Sequence, residues 1–66
     1  MKDIGSIIKD RRKEFGITQR DLAKLAGINI NTLTQMERGE GNPTVRTLEK
    51  VLKIIGMELT AKIIEL

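Results

Sequence analysis

Apolar residues recur at helical spacing in four blocks, and each block lies between residues that start or stop helices. Ile4, Ile7, Ile8 and Phe15 fall on one face of a helix expected over about Lys2 to Phe15, with Asp3 near its start and Gly16 suited to a left-handed end. Leu22, Leu25 and Ala26 form the expected buried stripe of a second helix. Thr18 is its N-cap, Thr18-Gln19-Arg20-Asp21 has the pattern of a capping box, and Gly27 ends it. Asn29 caps a third helix, in which Leu33 and Met36 are spaced to face a core and Gly39 marks the exit. Thr44 caps a fourth, with Val45, Leu48, Val51, Leu52 and Ile55 at helical spacing and Gly56 closing it. The second and third helices are too short to be stable alone, so tertiary packing must hold them.

The period changes after Gly56. Met57, Leu59, Ala61 and Ile63 alternate with Glu58, Thr60 and Lys62, which argues for a strand over 57–66. A helix is the alternative, because Leu59, Ile63 and Leu66 are also three or four apart and Ile64 breaks the alternation. A lone strand leaves its backbone groups unpaired. No other segment reads as a strand, so the expected partner is the same strand of a second chain, in a two-fold antiparallel pair.

Composition narrows the chemistry. The chain has 66 residues, 39% of them apolar, and contains neither cysteine nor histidine. That excludes disulfides, thiolate and imidazole metal sites, cysteine nucleophiles and histidine bases. No cofactor, metal or catalytic residue is expected, and the carboxylates lie at helix surfaces or in caps and pairs. A single small core is marginal, which favours self-association. Twelve Lys and Arg stand against nine Asp and Glu, a formal charge of +3. The densest basic run is Lys9, Arg11, Arg12 and Lys13, which reads either as a phosphate-facing patch or as a solvated helix face. There is no signal-like apolar segment and no stretch long enough for a membrane helix, so a cytoplasmic protein without membrane partners is expected.

A helix, a break at Gly27 to Asn29 and a second short helix give helix-turn-helix spacing, with glycine at the corner that demands a positive φ. The run Ile17-Thr18-Gln19-Arg20-Asp21-Leu22-Ala23-Lys24-Leu25-Ala26-Gly27-Ile28-Asn29, then Thr32-Leu33, Met36-Glu37-Arg38-Gly39, Asn42-Pro43-Thr44 and Thr47-Leu48, resembles the Xre/Cro group of phage-repressor-like proteins. The similarity covers roughly Ile4 to Ile55. It implies an all-α fold: a four-helix lambda-repressor-like helix-turn-helix domain over 1–56, followed by a short C-terminal β-strand for dimerisation over 57–66.

The resemblance also implies roles for residues. Ile30, Asn31, Thr34 and Gln35 are placed on the outward side of the third helix as base-reading positions. Asn31 and Gln35 offer a donor and an acceptor to adenine, and Ile30 offers only an apolar contact such as a thymine methyl. Many relatives are polar at the Ile30 position, and packing against a neighbouring loop is its alternative. Gln19, Thr32 and Arg38 are placed as phosphate-binding residues. Their alternatives are a solvated first-turn residue, a reinforced helix start and a partner for the helix dipole. Arg12 and Glu37 match positions that form a buried ion pair in some repressors of the group. Lys9, Lys13 and Arg46 remain for a positive rim.

The tail departs from the common family pattern and is similar to antitoxin subunits of Hip-type toxin-antitoxin pairs, where a strand from each subunit pairs across the dimer axis. Met57, Leu59, Ala61 and Ile63 are the expected dimer interface. The implied function is a homodimeric, sequence-specific regulator of transcription, a repressor, on a palindromic operator in double-stranded DNA. The alternative is an antitoxin that binds a toxin protein and autoregulates its operon.

Overall fold

The computed structural model describes residues 3–61 and places four helices in it: α1 (Ile4–Glu14), α2 (Gln19–Ala26), α3 (Ile30–Glu37) and α4 (Val45–Ile54). Each start is set by a side chain that satisfies an orphan amide of the first turn. The side chains of Asp3, Thr18, Asn29 and Thr44 accept hydrogen bonds from the backbone N–H groups of Ser6, Asp21, Asn31 and Thr47. The corner between α2 and α3 turns at Gly27, whose φ of 69° is the left-handed conformation that a side chain disfavours, and the Ile28 N–H then reaches back to the Ala23 carbonyl at 2.9 Å.

The helices close over one core of Ile8, Leu22, Ala23, Leu33, Met36, Val51, Leu52 and Ile55, with Ile4, Ile17, Ala26, Ile28, Leu48 and Met57 packed around it. Helix α2 packs on both α3 and α4, and α1 packs on α3. Three apolar residues expected in that core lie outside it: Leu25, Phe15 and Val45, the last 62% exposed in the first turn of α4. Leu25 is 61% exposed because the buried face of α2 is centred between Leu22 and Ala23, and Leu25 lies off its edge. Phe15 is 51% exposed at the C-cap of α1, past its last turn. The guanidinium of Arg11 stacks on its ring instead, 5.1 Å from the centroid.

The tail corrects a second expectation. Among the described residues there is no strand, and Met57 to Ala61 run without regular structure. A strand is defined by its ladder, and among the described residues these have no strand beside them to pair with. Met57 is anchored, because its N–H donates to the Leu52 carbonyl at 2.8 Å and its side chain packs on the core, whereas Glu58 to Ala61 are exposed. Ile63 lies outside the described residues, and no helix among the described ones is long and apolar enough to cross a membrane.

One close approach sets how α1 meets α3. Gly5 is buried in α1, and a Cβ built there would collide with the Met36 carbonyl oxygen and lie 3.1 Å from that of Glu37. Glycine at a helix position ordinarily costs stability, and alanine gains up to about 1 kcal/mol. Here the obstacle is backbone, which no rotamer change can move aside, so overpacking of about 1–3 kcal/mol outweighs the gain. Gly5→Ala is expected to lower the thermal midpoint by roughly 4–8 °C per kcal/mol of net loss, read by circular dichroism. An unchanged or raised midpoint would mean that α1 does not sit this close to α3.

Candidate nucleic-acid interface

Helix α3 has two faces of opposite character. Leu33, Met36 and Glu37 are buried. Ile30, Asn31, Thr34, Gln35 and Arg38 share the other side at helical spacing; Ile30, Asn31, Gln35 and Arg38 are exposed and Thr34 is half-buried. Thr32, also half-buried, lies off this stripe and lines a small cleft with Gln35, Met36, Glu40, Gly41, Asn42 and Pro43. The N–H of Glu40 donates to the Gln35 carbonyl at 2.8 Å, which folds the loop after α3 back along its exposed side.

What holds α3 in this orientation is a buried polar cluster. The side chain of Glu37 is 2% exposed and that of Arg12 is 11% exposed. Arg12 Nε donates to Glu37 Oε2 at 2.8 Å and Arg12 Nη2 to Oε1 at 3.0 Å, a two-pronged pair joining α1 to α3. Arg12 Nη1 donates to the Ile17 carbonyl at 2.9 Å, fixing the turn into α2. The hydrogen bonds to Glu37 push the Arg12 pKa still higher, against the opposing effect of burial. Among the described residues no buried side-chain polar atom lacks a partner.

Gln19 belongs to the same cluster. Its Nε2 donates to Glu37 Oε1 at 3.2 Å, and its Oε1 accepts from the Thr34 hydroxyl at 3.3 Å. The residue expected to be a solvated first-turn side chain or a phosphate donor therefore also bridges α2 to α3. The single Thr34 hydroxyl hydrogen also has the Ile30 carbonyl in reach at 2.9 Å, the backbone acceptor typical for threonine inside a helix, and is shared between the two acceptors. Within the chain these two polar side chains are engaged. Asn31, Gln35 and Arg38 make no side-chain hydrogen bond among the described residues.

Arg11 was grouped with the basic run, and the structure gives it a separate role. Its Nε donates to the Ile55 carbonyl at 3.1 Å, capping the end of α4, while Nη1 pairs with Glu14 at 3.2 Å. No local signal identifies that contact, since its partners are 44 residues apart. Lys9, Lys13 and Arg46 are exposed, as a charged rim requires.

The start of α2 carries the capping box in full. The Thr18 side chain accepts from the Asp21 N–H, and the Asp21 carboxylate accepts from the Thr18 N–H at 3.0 Å. That backbone hydrogen bond holds the Asp21 pKa below the ordinary carboxylate value. An amide donor at a helix start already suits an anion.

With this geometry in view, comparison with known proteins places the chain. A family model described as helix-turn-helix matches residues 8–61. The immunity repressor protein of Bacillus phage phi105 is 38% identical over 58 residues, covering 88% of this chain and 40% of the repressor. The ImmF control region 10 kDa protein of the same phage is 34% identical over 58 residues, covering 88% of this chain and 64% of that protein. A chain solved in a SinR protein/SinI protein complex superposes with a TM-score of 0.79 at 37% identity, covering 85% of this chain and 55% of that one. The chain thus spans less than two thirds of the length of each of these relatives. It belongs to the helix-turn-helix family, in its Xre/Cro-type branch.

Two outcomes follow from the buried cluster and the cap. Glu37→Gln keeps the shape of the side chain but leaves the Arg12 charge buried without its anion, and is expected to cost about 3–5 kcal/mol in urea unfolding. The double variant Arg12→Met, Glu37→Met strands no charge and should be more stable than Glu37→Gln; the reverse order would show that the pair is not desolvated as described. For Asp21, a folded pKa below the unfolded one means that its stabilisation is present above the unfolded carboxylate range near pH 3.9 and is lost as pH falls through the folded value. Asp21→Asn should therefore give a shallower fall in thermal midpoint below about pH 4 than the parent. Equal slopes would remove Asp21 from the acid response.

Proposed function

We propose that the chain is a sequence-specific double-stranded DNA-binding regulator of transcription, a repressor, that places the exposed side of α3 in the major groove. The observation that carries this reading is the division of α3: one face is fixed by the Arg12–Glu37–Gln19 cluster, and the other presents Ile30, Asn31, Gln35 and Arg38 to solvent. Asn31 and Gln35 have the donor and acceptor pair that matches an adenine edge, and Ile30 suits a thymine methyl. Arg38, at the end of α3, and Thr32, beside the following loop, are the phosphate contacts, together with the start of α2. Gln19 can serve there through the second hydrogen of its Nε2 while the first stays on Glu37. The phage immunity repressor supports repression as the outcome.

The protein acts as a homodimer through 57–66, on a palindromic operator with half-sites about one helical turn, roughly 34 Å, apart. The second reading is a protein-binding role, antitoxin included, and the observation that favours it is that the SinR neighbour is solved with a protein partner, SinI. Enrichment of bound duplexes from a random library at moderate salt tests the first reading directly. An inverted repeat is expected, and binding that only fades as salt rises, without enrichment, would overturn it. On the selected site Gln35→Ala is expected to cost about 1–3 kcal/mol and flatten preference at one base-pair position, leaving non-specific binding unchanged. An equal loss on all sequences would assign Gln35 to the backbone.

A further inference from the structure

The loop after α3 lies against the side chain of Gln35. Its backbone ties it there: the Glu40 N–H donates to the Gln35 carbonyl at 2.8 Å and the Gly39 N–H to the Met36 carbonyl at 3.1 Å, so the chain doubles back past the end of α3 before reaching Pro43. A Cβ built at Gly41 would lie 3.2 Å from Gln35 Oε1 and 3.9 Å from Gln35 Cβ. The first distance is shorter than the ordinary separation of non-bonded heavy atoms. The atom in the way is the far end of an exposed, flexible side chain, unlike the backbone carbonyl that confronts Gly5, so the Gln35 amide and not the fold would give way. Gln35 makes no side-chain hydrogen bond among the described residues. What limits its rotamers is therefore the wall beside it, in the cleft that it lines with Thr32, Gly41 and Pro43.

We propose that Gly41 is a positioning residue for base reading: its missing side chain leaves the space in which the Gln35 amide lies, so position 41 sets where on a base-pair edge that amide lands without itself touching a base. The inference rests on the base-reading role proposed above for Gln35. A glutamine matches adenine only when its donor and acceptor are both in register with the base edge. Fixing its several side-chain torsions on binding costs entropy, and a wall that already restricts them lowers that cost. A methyl group at 41 intrudes on the amide oxygen and turns the amide aside, so discrimination falls although every polar atom of Gln35 is retained. Gly39 supplies an internal comparison. It is exposed and has the same φ of 74° as Gly41, but among the described residues a Cβ there would meet nothing nearer than Asp3 Oδ2, at 4.0 Å. Alanine at either position carries the same left-handed strain, and only the one at 41 reaches Gln35.

Selection of bound duplexes from a random library, run with the full chain and its variants, tests the role. Gly41→Ala is expected to reduce discrimination about tenfold at the base pair where Gln35→Ala flattens it, and to leave preference at the other positions of the site unchanged. Gly39→Ala should keep the parent preference at that pair. Gly41→Ala added to Gln35→Ala should change nothing further there, because the side chain through which it acts is gone. Gly41→Asn brings the same Cβ with less backbone strain, since asparagine tolerates the left-handed region, and should repeat the Gly41→Ala result. Parent preference in both Gly41 variants, a uniform loss on all sequences, or the same change from Gly39→Ala overturns the positioning role and leaves the base-reading role of Gln35 standing. A parent chain that enriches no site, or a Gln35→Ala variant that flattens no base pair, overturns the base reading and this inference with it.

Discussion

The buried pair of Arg12 and Glu37 is the constraint on which the arrangement of the first three helices depends. Taking two charges out of water costs several kcal/mol, and the attraction between them offsets this only when geometry is good and the remaining polar atoms are satisfied. Here both conditions hold. The guanidinium offers two parallel donors to the carboxylate, its third nitrogen meets the Ile17 carbonyl, and Gln19 supplies a further donor to Glu37. Apolar side chains of equal volume would fill the same space without fixing an angle, because hydrophobic contact is non-directional. A planar fork meeting a carboxylate does fix one, so the price of desolvation is exchanged for a defined relation of α1, α2 and α3.

That relation matters because little else in so small a domain enforces it. The core is eight residues, drawn from helices of 8 to 11 residues that would not persist alone. Their ends are closed by side-chain caps, and Gly5 lets α1 approach the last carbonyls of α3 closely enough for Arg12 to reach Glu37. Arg11, on the neighbouring position, performs a parallel task by binding the Ile55 carbonyl, so α1 supplies anchors to both α3 and the end of α4. Two consecutive arginines of one basic run thus serve internal structure, while Lys9, Lys13 and Arg46 stay exposed.

The parts of this fold legible in the sequence are those decided locally. Caps at Asp3, Thr18, Asn29 and Thr44 and the left-handed turn at Gly27 are chemistry within three or four residues, and the helices begin and end where that chemistry places them. Periodicity identifies an apolar face but not its width, which is why Leu25, Phe15 and Val45 are read inward and lie outward. Gly5 and Arg11 act through partners far along the chain, and nothing beside them signals it. The Arg12–Glu37 contact was legible only through family resemblance. The alternation of the tail is plain in the sequence, but a strand needs a second strand, and the described residues contain none.

The separation of the two faces of α3 also bears on how far its outer surface can vary. Thr34 and Gln19 are tied into the cluster that orients the helix, so substitutions there disturb hydrogen bonds as well as surface chemistry. Asn31, Gln35 and Arg38 are exposed and make no internal side-chain hydrogen bond among the described residues, so their replacement leaves no buried polar group unsatisfied. Substitutions at exposed positions away from packing usually change stability by no more than about 0.5 kcal/mol. For a domain whose core is this small, that decoupling is decisive. The chemistry displayed on the outer side of α3 can vary widely at nearly constant stability, because the interactions that fix its direction lie on the opposite side, at Glu37.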